Sequence, residues 1–127
     1  MMSDRKPIDR DFEGTGYVPY PFTMHGLQHA VNARANHIDP RKLLGPLFFS
    51  NEMGGECGEA QNVVKKLIRE ELGIEGSRYT PEHLAQEFAD TTITACNVAR
   101  YYDIDLTEAI RTTFNRTSEQ RKLPVRL

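Results

Sequence analysis

The sequence lacks long apolar runs, a strongly basic composition and a cysteine framework, and each absence excludes a class of protein. No apolar run approaches the roughly 18 residues that a membrane-spanning helix needs, so we expect no membrane partner. The formal net charge of -2 argues against a general nucleic-acid-binding protein. Cys57 and Cys96 both fall within helix-like patterns, which predicts two small buried residues and no disulfide framework. Residues 1–14 lack the apolar stretch of a signal peptide, so we expect a cytoplasmic protein.

The sequence also lacks alternating strand patterns and internal repeats, and its 127 residues are typical of one domain. Residues 1–26 are interrupted by proline and glycine, which predicts an irregular N-terminal arm. Residues 27–127 read as a helical domain with a basic C-terminal tail. Its predicted helices cover residues 27–37, 47–72, 81–102, and from 105 or 107 to about 116. The prediction is an all-α, four-helix bundle, completed by a homo-oligomer that is a dimer or a tetramer.

Acidic residues lie beside the predicted apolar stripe of two consecutive helices. The stripe of the second helix includes Cys57 and Val64, and the stripe of the third includes Phe88. Two carboxylates ~4 Å apart repel by about 4 kcal/mol at an effective dielectric near 20, so facing acidic groups need a cation. Oxygen ligands at this density favour Mg²⁺, with Mn²⁺ as the alternative. The acidic sides carry Glu52, Glu56 and Glu59 on the second helix, and Glu87, Asp90 and Asn97 on the third.

Three glycines interrupt the acidic side of the second helix, although glycine in a helix interior costs roughly 1 kcal/mol relative to alanine. Gly54, Gly55 and Gly58 remove side chains from that face. We expect this to let another helix or a flat ligand approach the backbone closely. A phosphate-binding loop is excluded, because no G-x-x-x-x-G-K-[ST] motif follows a strand.

Two other classes of helical protein fit the residues less well. Ferritin-like di-iron bundles need Glu-x-x-His motifs, and none of the four histidines completes one. His25 and His29 lie four residues apart without a third ligand nearby, which favours surface or interface residues. A non-catalytic helical interaction or regulatory module stays open as the alternative, although it does not explain the paired acids.

The paired acids read Glu56-Cys-Gly-Glu59 and Glu87-Phe-Ala-Asp90, with 27 residues between Glu59 and Glu87. In this combination the chain, over residues 27–127, resembles the MazG-like nucleoside triphosphate pyrophosphohydrolases, an all-α group that includes dimeric dUTPase-like enzymes. The ending TFNRTSEQRKLPVRL is similar to that family's end, where an asparagine after the last helix and the following basic residues contact nucleotide. Two positions depart from the pattern: Gly55 stands where many members have an acid, and Thr113 where a lysine often stands.

The resemblance implies metal-dependent hydrolysis of a nucleoside or deoxynucleoside triphosphate to the monophosphate and pyrophosphate. It assigns Glu59, Glu87 and Asp90 as metal ligands. Glu56 is a further ligand or the general base that takes the proton of the attacking water. Whether Glu52 replaces the acid missing at Gly55 stays open. The residues expected to contact substrate are Asn115, Arg116, Arg121, Lys122 and Gln28.

Overall fold

The computed structural model describes residues 20, 22–74, 76 and 78–127. Within these residues the chain is all-α, with four helices and no strand, as the sequence predicts. The irregular arm predicted for residues 1–26 lies mostly outside the described residues. Its last three residues belong to the first helix instead. The elements are α1 (Met24–Ile38), α2 (Pro46–Glu71), α3 (Pro81–Ala99), a short 3-10 helix (Arg100–Tyr102) and α4 (Leu106–Gln120).

Side-chain and backbone caps set the helix boundaries. The α1 helix begins after Thr23, whose hydroxyl oxygen accepts a hydrogen bond from Gly26 N at 2.9 Å. The α3 helix begins after Thr80 as predicted, with Pro81 at the first helical position and the Thr80 N–H donating to His83 Nδ1 at 3.0 Å. The α2 helix ends before Gly73, which adopts a left-handed φ of +67° that suits glycine.

The α4 helix extends four residues beyond the predicted end near Arg116. The stretch Asn115–Gln120 is polar but contains no proline or glycine, so nothing in it interrupts the helix. The helix ends at Gln120, and the chain turns away at Lys122, which adopts a left-handed φ of 55°, while Leu123 N donates to Ser118 O at 2.8 Å. Asn115 and Arg116 therefore belong to α4 and not to a tail that follows it.

The core lies where α3 packs against both α1 and α2, and α4 packs on α1. Val63 of α2 and Cys96 of α3 are its most deeply buried side chains. Most of the remaining core is alanine, which lets the helices approach closely. None of the helices in the described part of the chain is long and apolar enough to cross a membrane.

The buried side of α2 is rotated from the predicted stripe. Cys57 and Val64 were predicted to be buried, and both are exposed. Phe88 of α3 is likewise exposed, at 56%. The inward-facing positions of α2 recur at the three- and four-residue spacing of a helix seam. They are Phe49, Met53, Glu56, Ala60, Val63 and Leu67.

This rotation was hidden in the sequence because apolar residues lie on both sides of the acids. The hydrophobic stripe of α2 is broad, and its centre gives no sign of which edge meets α3. The correction has a chemical consequence: Glu56 stands within the helix–helix seam rather than beside it.

Candidate functional site

The seam between α2 and α3 holds a cluster of carboxyl groups. Glu56 comes from the middle of α2, and Glu87 and Asp90 come from one turn of α3. Each of the three offers an oxygen, and these oxygens lie within 4.8 Å of one another. Glu56 and Glu87 are half-buried, while Asp90 is exposed. The structure thus brings together acids that lie on two different helices and at least 31 residues apart in sequence.

Glu59 lies at the edge of this cluster, close enough for its carboxyl group to influence Glu87. Partial burial raises the pKa of Glu87, and the neighbouring Glu59 carboxyl adds to the effect. Partial burial is also the largest cause that raises the pKa of Glu56. Repulsion from the carboxylates of Glu59, Asp90 and Glu52, in decreasing order, raises it further. Glu52 is therefore a neighbour of the cluster, although it is not one of the three converging acids.

Basic side chains do not neutralise the cluster. Among residues 20, 22–74, 76 and 78–127, no lysine or arginine forms an ion pair with Glu56, Glu87 or Asp90. Lys66, one of the nearest lysines along α2, instead places its Nζ 3.8 Å from the centre of the Tyr79 ring. The acids therefore repel one another without a protein cation between them, and a divalent cation would relieve that repulsion.

The donor set fits a hard divalent cation. It is made of carboxylate oxygens, which Mg²⁺ and Mn²⁺ prefer. No histidine or cysteine belongs to the converging group within the described residues. Glu56, Glu87 and Asp90 could each supply one oxygen, and Glu59 stands beside them. The chemistry of these residues therefore matches the cation that the sequence predicts.

A cavity of about 400 Å³ opens beside the acids, between α1, α2 and α3. Its volume is within the usual range for small-molecule sites. Glu56 and Asp90 line it together with apolar and amide side chains. Its walls include Val31 and Arg34 of α1, Phe48 and Glu56 of α2, and Asp90 and Asn97 of α3.

Asn97 lines the cavity and carries a buried polar atom without a hydrogen-bond partner among the described residues. The residue is 9% exposed, and the unpartnered atom is Oδ1. A buried polar atom left in this condition costs about 1–3 kcal/mol. The sequence placed Asn97 beside Glu87 and Asp90, but it gave no sign that the amide would be buried. It also gave no sign that Phe48 and Arg34 would line the same cavity, because that requires knowing how α1 docks.

The three glycines of α2 do not serve the predicted close approach within this chain. A Cβ atom added at Gly54, Gly55 or Gly58 would meet nothing within 4 Å. All three are exposed, because the rotation of α2 turns them away from α3. The prediction that they admit a neighbouring helix is therefore wrong for the described residues, and their approach to a ligand stays a prediction.

The predicted substrate-contact residues are not brought to the cavity in this structure. Arg116, Arg121 and Lys122 are exposed on or just after α4, which packs on α1. The Asn115 amide instead holds the end of the chain, with Nδ2 donating to Leu127 O at 3.1 Å and Oδ1 accepting from Leu127 N at 2.8 Å. Contact between the substrate and these four predicted residues stays a prediction.

Gln28 has a structural role in the described chain. Its Nε2 donates to Ile104 O at 2.8 Å, and its Oε1 accepts from Leu106 N at 3.0 Å. These two bonds tie α1 to the start of α4. His25 reinforces the same junction through Nε2, which lies 2.9 Å from Asp105 Oδ1. A substrate contact by Gln28 would require it to release these partners.

Within the described residues, fold and site together define an all-α protein with a carboxylate cluster beside a cavity of about 400 Å³. Comparison with protein-family models, curated proteins and solved structures finds no match to the chain. The case for its function therefore depends on the residues and their geometry.

Proposed function

We propose that this protein is a metal-dependent nucleoside triphosphate pyrophosphohydrolase, similar to the MazG-like enzymes. The observation that carries the proposal is the convergence of Glu56, Glu87 and Asp90 within 4.8 Å, without a basic partner among the described residues, beside a cavity that Glu56 and Asp90 line. Such a cluster is costly for a helix seam, and a cation that carries phosphate groups would offset the cost. The adjoining cavity offers room for the rest of the nucleotide.

In this proposal Glu59, Glu87 and Asp90 hold the cation, Mg²⁺ or Mn²⁺, and Glu56, whose oxygen converges with those of Glu87 and Asp90, is a further ligand or the general base. When bound, the cation would supply positive charge that orients the phosphates and stabilises the developing negative charge of the leaving pyrophosphate. Glu59 and Glu87 stand side by side, so their carboxylates can act together. The exposed position of Asp90 leaves its oxygen open to solvent and to an entering ligand.

Glu56 suits the role of general base. Unlike Glu87, it lines the cavity in which the substrate would lie. In the metal-free protein, partial burial and the neighbouring acids raise the pKa of Glu56. As the base, Glu56 would take a proton from water as the water oxygen bonds to the α-phosphorus. The bond from that phosphorus to the bridging oxygen breaks, and pyrophosphate leaves with the electron pair.

A panel of ribonucleoside and deoxyribonucleoside triphosphates, both common and modified, tests the proposal. With Mg²⁺ the expected products are the monophosphate and pyrophosphate, and EDTA should abolish their formation. Release of orthophosphate and diphosphate would indicate a different class of phosphohydrolase. Turnover that is unaffected by EDTA would contradict the metal assignment, and no turnover of any substrate would favour the non-catalytic interaction module.

A further inference from the structure

The amide of Asn97 is a hydrogen-bonding group of the cavity that the acid chemistry does not use. Two other polar side chains of the same cavity, those of Asp39 and Thr94, already have partners. Asp39 accepts from Leu43 N and Leu44 N, both at 2.8 Å. Thr94 donates its hydroxyl to Asp90 O at 2.9 Å. Asn97 Oδ1, in contrast, is buried and unpartnered among the described residues.

The position of Asn97 relative to the acids suits one part of a nucleotide. It lies seven residues beyond Asp90 on α3, and both line the cavity. Seven residues of α-helix rise about 10 Å, which leaves room for a pentose between a phosphate at the acids and a flat ring at the amide. The spacing therefore places the base of a nucleotide, and not its phosphates, at Asn97.

The walls around Asn97 suit a flat, partly apolar ring. Phe48 lines the cavity and is 44% exposed, so its side chain is accessible to a base. Val31 and Ile93 supply aliphatic surface in the same cavity. An amide presents an acceptor and a donor side by side, which matches the edge of a nucleobase that carries an N–H group beside an acceptor.

We infer that Asn97 reads the base of the substrate: its amide turns from the cavity wall so that Oδ1, which is enclosed in this structure, accepts a hydrogen bond from a ring or amino N–H group of that base. This inference rests on the proposed function, because it concerns the same triphosphate. The substrate is then a nucleoside triphosphate whose base is selected at its hydrogen-bonding edge. A base that cannot present an N–H group there leaves the buried oxygen unpartnered and binds more weakly.

The test measures the affinity of non-hydrolysable α,β-imido nucleoside triphosphates carrying each of the four DNA bases, by calorimetry with Mg²⁺. Wild-type protein is expected to prefer one base, and Asn97→Leu is expected to reduce affinity for that analogue by about 10- to 100-fold. The other analogues should change by less than about threefold, so the preference flattens. With the hydrolysable substrate, KM should rise while kcat stays close to wild type, because the amide lies two turns from the acids.

Thr107→Val is the matched control. Thr107 Oγ1 is also buried without a partner among the described residues, but it lies on α4 and outside the cavity. Both substitutions remove an unpartnered polar atom, so neither should lower the Tm. Only Asn97→Leu should alter the base preference. If leucine prevents folding, Asn97→Ala removes the same amide with a smaller side chain.

The outcomes separate this inference from the proposed function. A wild-type base profile in the folded Asn97 variants would overturn the inference, even if pyrophosphate release is normal. The same holds if wild-type protein binds all four analogues equally or binds none. A base preference that depends on Asn97 in a protein that releases no pyrophosphate would support the inference and remove the proposed function.

Discussion

Glu56 places a carboxyl group at an inward-facing position of α2, where the neighbouring inward positions are mostly apolar. The sequence is sufficient to pick out Glu56, Glu59, Glu87 and Asp90, because their spacing places them on one side of each helix. It is not sufficient to show which of them face inward. The inward-facing set depends on how α2 is rotated about its axis. Val64 is apolar but exposed, so the apolar pattern alone does not show that rotation.

Glu56→Gln should stabilise the metal-free protein at neutral pH. The folded protein binds the Glu56 proton more tightly than the unfolded chain, in which the group titrates near 4.5. Wild-type stability therefore falls as the pH rises from about 4.5 through the raised pKa, and the variant lacks this fall. Thermal melts in EDTA between about pH 4 and 8 should show the two proteins converging at acid pH and diverging at neutral pH.

Glu71→Gln is the control for this series, since Glu71 is an exposed glutamate at the end of the same helix. Its effect on the free energy of unfolding should stay below ~0.5 kcal/mol across the range. A Glu56→Gln protein that is less stable than wild type at neutral pH would show that Glu56 makes a favourable contact instead of suffering repulsion.

At the scale of helices, the sequence predicts the boundaries where capping chemistry is explicit. Thr80 and Pro81 mark the start of α3, and Gly73 follows the end of α2, in both sequence and structure. The end of α4 was missed because no glycine or proline marks it. The docking of α4 on α1 was also beyond prediction, since it depends on hydrogen bonds between residues that are 76 and 78 positions apart.

Gln28→Met should loosen the junction between α1 and α4. The substitution keeps the side-chain volume but leaves Ile104 O and Leu106 N without their partner. The expected loss in the free energy of unfolding is about 1–2 kcal/mol, measured by urea denaturation. Gln86→Met, at an exposed position of α3, is the control and should change little. A Gln28→Met protein of wild-type stability would contradict the structural role, and an unchanged KM would remove Gln28 from the substrate-binding set.

At the scale of the whole molecule, a band of apolar surface is left on the outer side of α2 and α3. An open groove there is lined by Cys57, Ala60, Val64 and Phe88. Ile68, one turn further along α2, is 50% exposed and extends the band. Apolar faces of this kind are often buried between subunits. This is the surface on which the predicted homo-oligomer would form.

Phe88→Glu should therefore lower the assembly state. The charge would have to be buried without a partner in a subunit interface, so a dimer or tetramer should shift toward the 14.5 kDa monomer. Light scattering after size exclusion measures this, with Leu72→Glu as a control for adding charge at an exposed apolar position outside the groove. A wild-type protein that is monomeric at every concentration would contradict the prediction.

Pyrophosphate release by site variants is the measurement that tests the carboxylate cluster most directly. Asp90→Asn and Glu59→Gln keep the size of each side chain but remove a charge from the cluster. Both proteins should fold with a Tm at or above that of wild type, and turnover of the best triphosphate with Mg²⁺ should fall by at least about 100-fold. Glu71→Gln should retain wild-type turnover. Folded Asp90→Asn and Glu59→Gln proteins that release pyrophosphate at the wild-type rate would show that the cleft between α2 and α3 is not the active site.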